Sequence, residues 1–345
     1  MAEKGIFSVG QIEAWFEANK RDFPWRVNRT PYRVWISEVM LQQTRASVVI
    51  PYFLRWMGLF PNVKALYMAP IEQVIKAWEG LGYYSRARNL HAAAGQIVEE
   101  FGGEIPDTKE ALRSIRGFGP YTTNALLSFG FQKRALAVDG NVLRVLSRFF
   151  LIEENISQSA VRRKIEEKGE ILLDLQKPWV TAEALIELGA TVCLPKPRCE
   201  DCPLKAECFA FRSGKAESLP IKNEEKGTTL LQRVVFIIEH HGEVLVKKGE
   251  KGKVMADLYE FPYIEMEKGD ILDQARAFYG GALKWVKKLK ERQHTFTRYK
   301  ARLFPVWLRS DIQNPLSGYE WISVRRLAEL PFSSGHRKIA HELTT

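Results

Sequence analysis

No apolar run in this chain of 345 residues approaches the roughly 18 residues a membrane-spanning helix needs, and its opening, MAEKGIFSVG, lacks an apolar signal core. Neither a membrane span nor a secretory leader is expected, and the expectation is a soluble intracellular protein. Cysteine is scarce too. Its four residues, Cys193, Cys199, Cys202 and Cys208, fall in one short segment, which excludes a disulfide framework spread over the chain and points to a metal or cluster site. Acidic residues, at 41, fall short of the 51 lysines and arginines, leaving a formal net charge of +10. That balance favours a polyanionic partner such as nucleic acid or an anionic membrane surface, and says nothing about fold. No internal repeat or low-complexity tract stands out. What the chain does have is length enough for two packed domains.

The pattern is helical up to about residue 212. Ser8 and Gln11 have the spacing of a capping box ahead of Ile12, Trp15 and Phe16. Thr30 followed by Pro31 marks another helix start. Further helical runs are expected over 71–78, 85–101, 109–116, 120–129 and 142–150. Residues 213–229, SGKAESLPIKNEEKGTT, carry charges, glycines and a proline without a hydrophobic period, as an interdomain linker would. Beyond it come short β-rich runs, RVVFIIE and EVLVKK around a His-His-Gly turn, then HTFTRYKARLFPVWL, with short helices toward the end. A mainly α domain over 1–212 and a smaller α+β domain over 230–345 are therefore expected.

Three features carry chemistry. In RGFGPYTTNA, Gly117 and Gly119 permit positive φ and close approach, and Pro120 suits the first helical position. The bare N–H groups of such a hairpin fit a phosphate, though a structural tight turn has the same letters. Glu38 stands inside the apolar run VWISEVMLQQ, and Asp139 stands between an apolar stub and a helix in AVDGNVLRVLSR. Glu38 also reads as a solvated helix position and Asp139 as a helix cap. As a pair they suit glycosidic bond cleavage, one carboxyl donating a proton while the other, ionised, stabilises an oxocarbenium ion. The cysteine spacing, C-x5-C-x2-C-x5-C, has a single C-x2-C knuckle, so a four-thiolate iron–sulfur cluster and a structural zinc both remain open.

With SEVMLQQTR, WEGLGYYSRARNL, GFGPYTT, VDGNVLRVLSR, EALIELGA and the four-cysteine loop in order, the chain resembles the adenine DNA glycosylases called MutY over nearly its whole length. The resemblance implies a helix-hairpin-helix glycosylase domain with a [4Fe–4S] cluster held by Cys193, Cys199, Cys202 and Cys208. It also implies a C-terminal Nudix-like domain that reads 8-oxoguanine opposite the target adenine. The substrate it implies is double-stranded DNA with A:8-oxoguanine or A:G mispairs. A monomer is expected, nucleoid-associated if bacterial. The loop departs from the family, which usually has six residues between the first two cysteines where this chain has five.

Carried onto this chain, the resemblance makes Glu38 the proton donor to adenine N7, Asp139 the stabiliser of the sugar cation and Asn141 a partner of the two. It places Arg21, Trp25, Arg26, Leu41 and Glu183 around the adenine. Gln43 and Tyr83 fill the gap left by the extruded base. Thr44, Leu81 and the hairpin residues Phe296, Thr297 and Arg298 meet 8-oxoguanine, the last three standing where the family usually presents Phe-Ser-His. Related enzymes such as endonuclease III, which act on oxidised pyrimidines and also cleave the strand, have a lysine where Tyr121 stands. A phenol forms no imine, so a monofunctional hydrolase is expected, with Tyr121 orienting Asp139 or the intermediate. ADLYEFP resembles the start of a Nudix module, but no G-x5-E-x7-R-E-x-x-E-E box follows, so that domain is expected to bind rather than catalyse.

Overall fold

A computed structural model describes residues 7–223, 227–250, 252–253, 255–296 and 298–344. Thr297 lies outside the described residues. The chain groups into two compact units, residues 1–67 with 92–225 and residues 68–91 with 226–345. The units divide within the expected linker, but the 68–91 segment, expected in the helical domain, groups with the C-terminal residues instead.

The first unit is helical. Its elements are α1 (Val9–Asn19), α2 (Pro31–Leu41), α3 (Ala46–Leu59) and α4 (Val63–Met68), while α5 (Ile71–Trp78) and the start of α6 (Ser85–Phe101) group with the other unit and α6 belongs here from residue 92. Then come α7 (Lys109–Ser114), α8 (Pro120–Ala125), α9 (Gly140–Phe149), α10 (Ser159–Leu172), α11 (Pro178–Thr191) and α12 (Phe209–Arg212). Thr30 caps α2, its hydroxyl accepting the Arg33 N–H at 3.2 Å, with Pro31 in the first turn. α8 runs into a π-helical turn, Leu126–Gly130, where the expected run continued as regular helix. The Ser8 capping box does not form. The Ser8 hydroxyl donates to Glu207 at 2.7 Å, tying the start of α1 to the cysteine loop. The linker is also tighter than its composition suggests: Ile156 N–H donates to the Ile221 carbonyl at 2.9 Å, and Leu219 is buried.

In the second unit the strands are β1 (Thr229–His240), β2 (Glu243–Lys248), β3 (Tyr259–Glu260), β4 (Tyr263–Glu265), β5 (Leu283–Lys288), β6 (Arg292–Phe296), β7 (Tyr299–Ser310) and β8 (Glu320–Ser323). Helix α13 (Ile271–Tyr279) and the terminal α14 (Ser334–Thr344) complete it. β1 pairs parallel with β7 along its length and antiparallel with β2, the pair turning at His241 and Gly242, both at positive φ. The unbroken apolar run of β1 has a direct cause: Val235 and Ile237 face a core shared with α14, while Val234, Phe236 and Ile238 face one shared with α13.

Candidate active site

The two suspect carboxylates meet in one cleft of about 1080 Å³ in the first unit. Glu38 belongs to the most deeply buried stretch of α2, between Ser37 and Val39, so the solvated reading fails. Burial pushes its carboxyl from 4.5 up to about 7; the Tyr121 bond pulls the other way, and the charge of nearby Asp139 adds to the rise. The Tyr121 hydroxyl donates to Glu38 Oε2 at 2.6 Å. Of the two roles expected of Tyr121, orienting Asp139 or orienting the intermediate, the first is corrected: its bond goes to Glu38. Burial, with the charge of Glu38 next, raises the phenol well above its ordinary range, so it stays a donor.

Asp139 is a helix cap and a member of the cleft at once. Its Oδ1 accepts the N–H groups of Asn141 and Val142 at 2.8 Å each, and its Oδ2 accepts the Asn141 side-chain amide at 2.8 Å. Burial raises its pKa, and these three donors favour the charged form. Asn141 is itself held: its Oδ1 accepts from Arg144 at 2.8 Å, and the same guanidinium donates to the carbonyls of Gly189 and Cys193 at 2.9 and 2.7 Å. Gly189 lets α11 approach this closely, since a Cβ there would lie 2.6 Å from that of Asn141.

Arg21, Trp25, Arg26, Leu41, Gln43, Thr44 and Glu183 line the same cleft. Trp25 is buried, stacked on Phe23 and edge-on to Phe53, so it serves the core as well. Both oxygens of Glu183 are engaged, by Arg26 at 3.0 Å and Arg29 at 2.7 Å. Sequence reasoning missed Glu187, one turn on in α11. It is 1% exposed and accepts from Arg21 and, at 2.9 Å, from Arg26. Burial works to raise its carboxyl, but the two guanidiniums bring it below the ordinary value. The i, i+4 spacing of Glu183 and Glu187 in EALIELGA was the available signal. Arg144 and Arg148, equally spaced in the amphipathic α9, were missed in the same way.

Gln43 is exposed and sits at φ 56°, in the left-handed region. In the second unit Tyr83, 47% exposed, sits at φ 47° between Gly82 and Tyr84, while Leu81 is buried. Beneath them Arg86 donates to the carbonyls of Leu81 and Gly82. The two hairpin glycines separate: Gly117 has φ 83°, whereas Gly119 is extended, at φ −76° and ψ 177°, with open space where a Cβ would stand. The left-handed role expected of Gly119 is therefore corrected. Phe296 ends β6, its ring against Tyr299, and the exposed Arg298 donates to the Tyr299 hydroxyl at 3.1 Å.

All four cysteines line one small cavity with Arg148, Leu188 and Leu204. Arg148 reaches Cys193 Sγ at 3.3 Å and the carbonyls of Leu194 and Pro195 at 2.6 and 2.8 Å. Burial raises the thiols of Cys199 and Cys208 and pushes Cys202 up to about 12, and each also responds to the other cysteines. Among the described residues no three donors converge as a single ion requires. Sulfurs set around the wall of a shared cavity fit a cluster that takes one thiolate per iron. No helix among the described residues is long and apolar enough to cross a membrane.

Residues 36–170 match the HhH-GPD superfamily of base excision DNA repair proteins, and residues 233–342 match the NUDIX domain. The adenine DNA glycosylase of Buchnera aphidicola subsp. Acyrthosiphon pisum (strain APS) is 35% identical over 262 residues, 75% of this chain and 74% of that protein. The adenine DNA glycosylase of Homo sapiens is 30% identical over 397 residues, 96% of this chain and 72% of that protein. A thermostable thymine-DNA glycosylase shares 27% identity at a TM-score of 0.56, covering 61% of this chain and 98% of its own. Endonuclease III in a non-covalent DNA complex, at 22% identity and a TM-score of 0.51 over 60% of this chain and 94% of its own, has the fold of the helical unit. With a buried carboxyl, a capped carboxylate and a four-cysteine loop on that fold, and relatives of one activity along most of its length, the chain belongs to the adenine DNA glycosylase family.

Proposed function

We propose that the chain excises adenine opposite 8-oxoguanine or guanine in double-stranded DNA by hydrolysing the N-glycosidic bond, with no strand cleavage of its own. The observation that carries the reading is the buried Glu38 carboxyl, held by the Tyr121 hydroxyl in the cleft that also contains Asp139. Glu38 gives its proton to adenine N7, and the bond from sugar C1′ to the base breaks with its electron pair leaving on adenine. Asp139, charged and steadied by Asn141, balances the oxocarbenium ion until water adds to C1′ and gives up a proton that restores the Glu38 carboxyl. Tyr121 has no amine with which to form a Schiff base, which supports hydrolysis over lyase chemistry.

Extruding the adenine costs a few kcal/mol and leaves a gap. Gln43 and Tyr83 are each exposed on left-handed backbone, which supports a gap-filling role for either, and Thr44 and Leu81 are assigned to the opposite base. Arg21, Trp25, Arg26, Leu41 and Glu183 suit the walls of the adenine pocket. The open space at Gly119, beside the turn at Gly117, suits a DNA phosphate. Phe296, Thr297 and Arg298 are assigned to reading 8-oxoguanine. Cys193, Cys199, Cys202 and Cys208 would hold a [4Fe–4S] cluster, whose iron–thiolate bonds would cross-link the loop and neutralise its sulfurs.

The test is a single-turnover assay on A:8-oxoguanine and A:G duplexes, with and without alkali and with borohydride. Adenine release with strand breaks only after alkali is expected. A borohydride-trapped adduct in good yield would support a lyase instead, and no release from either duplex would sink the glycosylase assignment. The protein should carry about four irons per chain; one zinc on a colourless protein would overturn the cluster.

A further inference from the structure

Polar contacts in the second unit converge on one carboxylate. Glu79, at the end of α5, accepts the backbone N–H of Phe332 at 2.8 Å, Arg337 Nε at 2.6 Å and Lys76 Nζ at 2.8 Å. Lys76 and Arg337 each also donate to carbonyls just before Phe332: Lys76 to Ala328 and Leu330, and Arg337 to Leu327 and Leu330. Immediately after Glu79 the chain turns through Gly80 at φ 104°, Gly82 at φ 70° and Tyr83 at φ 47°. On the far side of that turn the Tyr84 hydroxyl accepts from Gly80 N–H at 3.3 Å and lies 3.5 Å from the Phe332 carbonyl. Both flanks of the turn are therefore fixed to Phe332.

The same stretch reaches the β6–β7 hairpin. Gly335 N–H donates to His294 Nδ1 at 3.1 Å, and the His294 ring stands edge-on to Phe296 at 5.2 Å. A turn with two glycines and a left-handed tyrosine samples many conformations unless its flanks are held. Two of the three Glu79 bonds come from charged donors and are partly shielded, with the Glu79 and Arg337 side chains 14% and 23% exposed, so they are among the stronger bonds available for that task.

We propose that Glu79 is a positioning residue that joins the turn carrying Tyr83 to the hairpin carrying Phe296 through segment 332–335, so that the base read by the hairpin sets how the turn is presented for base extrusion. The inference rests on the assignments of Tyr83 and Phe296 above.

Glu79→Ala tests it in the full-length protein, in single-turnover assays with adenine opposite 8-oxoguanine, opposite guanine and opposite an abasic analogue that presents no base to read. The rate opposite 8-oxoguanine is expected to fall about tenfold or more, since three bonds are lost together, two of them from charged donors. The rate opposite the abasic analogue should stay within about twofold of the parent. With 2-aminopurine in place of adenine, the fluorescence rise on binding should shrink opposite 8-oxoguanine and change little opposite the abasic analogue. Glu79→Gln, which still accepts two of the bonds, should recover part of both signals. Equal losses on all three duplexes, from misfolding or any general defect, would overturn the proposal, as would unchanged selectivity. A parent protein inactive on every duplex would instead count against the glycosylase reading.

Discussion

In the cleft, Glu38 is buried under the Tyr121 hydroxyl and Asp139 is held by three N–H donors from two residues. On the β6–β7 hairpin, Arg298 is exposed and bonds its immediate neighbour, and Phe296 is half-buried at a strand end. The proton transfer and cation stabilisation proposed for these groups need fixed distances, and the groups are locked from several helices. Reading a base in a duplex needs reach and adjustment, and of the groups assigned to it Arg298 is exposed on the hairpin turn, while Phe296 at the strand end rests against His294 and Tyr299. Removal of a locked group should therefore abolish a step, whereas removal of a reader should change a ratio.

The largest expected effect is that of Glu38→Gln: adenine release falls by about a thousandfold or more, with duplex affinity within several-fold of the parent. Appreciable turnover at neutral pH would remove Glu38 as the donor. The same variant separates activity from stability. The folded carboxyl lies at about 7 against an ordinary 4.5, so its contribution to stability is complete below 4.5 and is lost as the pH rises through 7. Thermal melts should show the variant gaining on the parent at pH 8, by up to about 3 kcal/mol, with the gain vanishing near pH 4.

Tyr121→Phe should slow release about ten- to a hundredfold. The lost bond had lowered the Glu38 pKa, so the alkaline limb of the single-turnover pH profile should move upward. A downward shift would contradict the geometry. The hairpin glycines should behave differently from each other. Gly117→Ala, at φ 83°, is expected to cost about 1 kcal/mol of stability, whereas Gly119→Ala should leave melting unchanged and weaken DNA binding. If both altered only stability, neither would meet the DNA backbone. Smallest of all is the reader: Thr297→Ala should narrow the preference for 8-oxoguanine over guanine by about 1 kcal/mol, while Arg298→Ala weakens both duplexes and flattens the salt dependence of binding.

Short motifs with a local cause were legible in the sequence. The α5 and α6 spans, the Thr30-Pro31 start and the His-His-Gly turn all follow from near neighbours. Partners brought from far along the chain were not. Ser8 has the letters of a cap but bonds Glu207, and Tyr121 reaches Glu38 across 83 positions. Residues 68–91 pack with the C-terminal unit because Glu79 finds Phe332 and Arg337, which no local pattern announces. Arg144, which links Asn141 to the Cys193 carbonyl, reads in sequence as one more charge on an amphipathic helix.

Glu187 also constrains how this pocket can change over evolutionary time. Its buried carboxylate is shared by Arg21 and Arg26, so replacing either arginine first leaves a charge with half its partners, at a cost of several kcal/mol. Substitutions at the three positions are then strongly epistatic, each harmful alone and tolerable together. A lineage altering this pocket through Arg26 would have to change Glu187 and Arg21 together with it, and directed evolution that varies pocket residues one at a time would find that route closed.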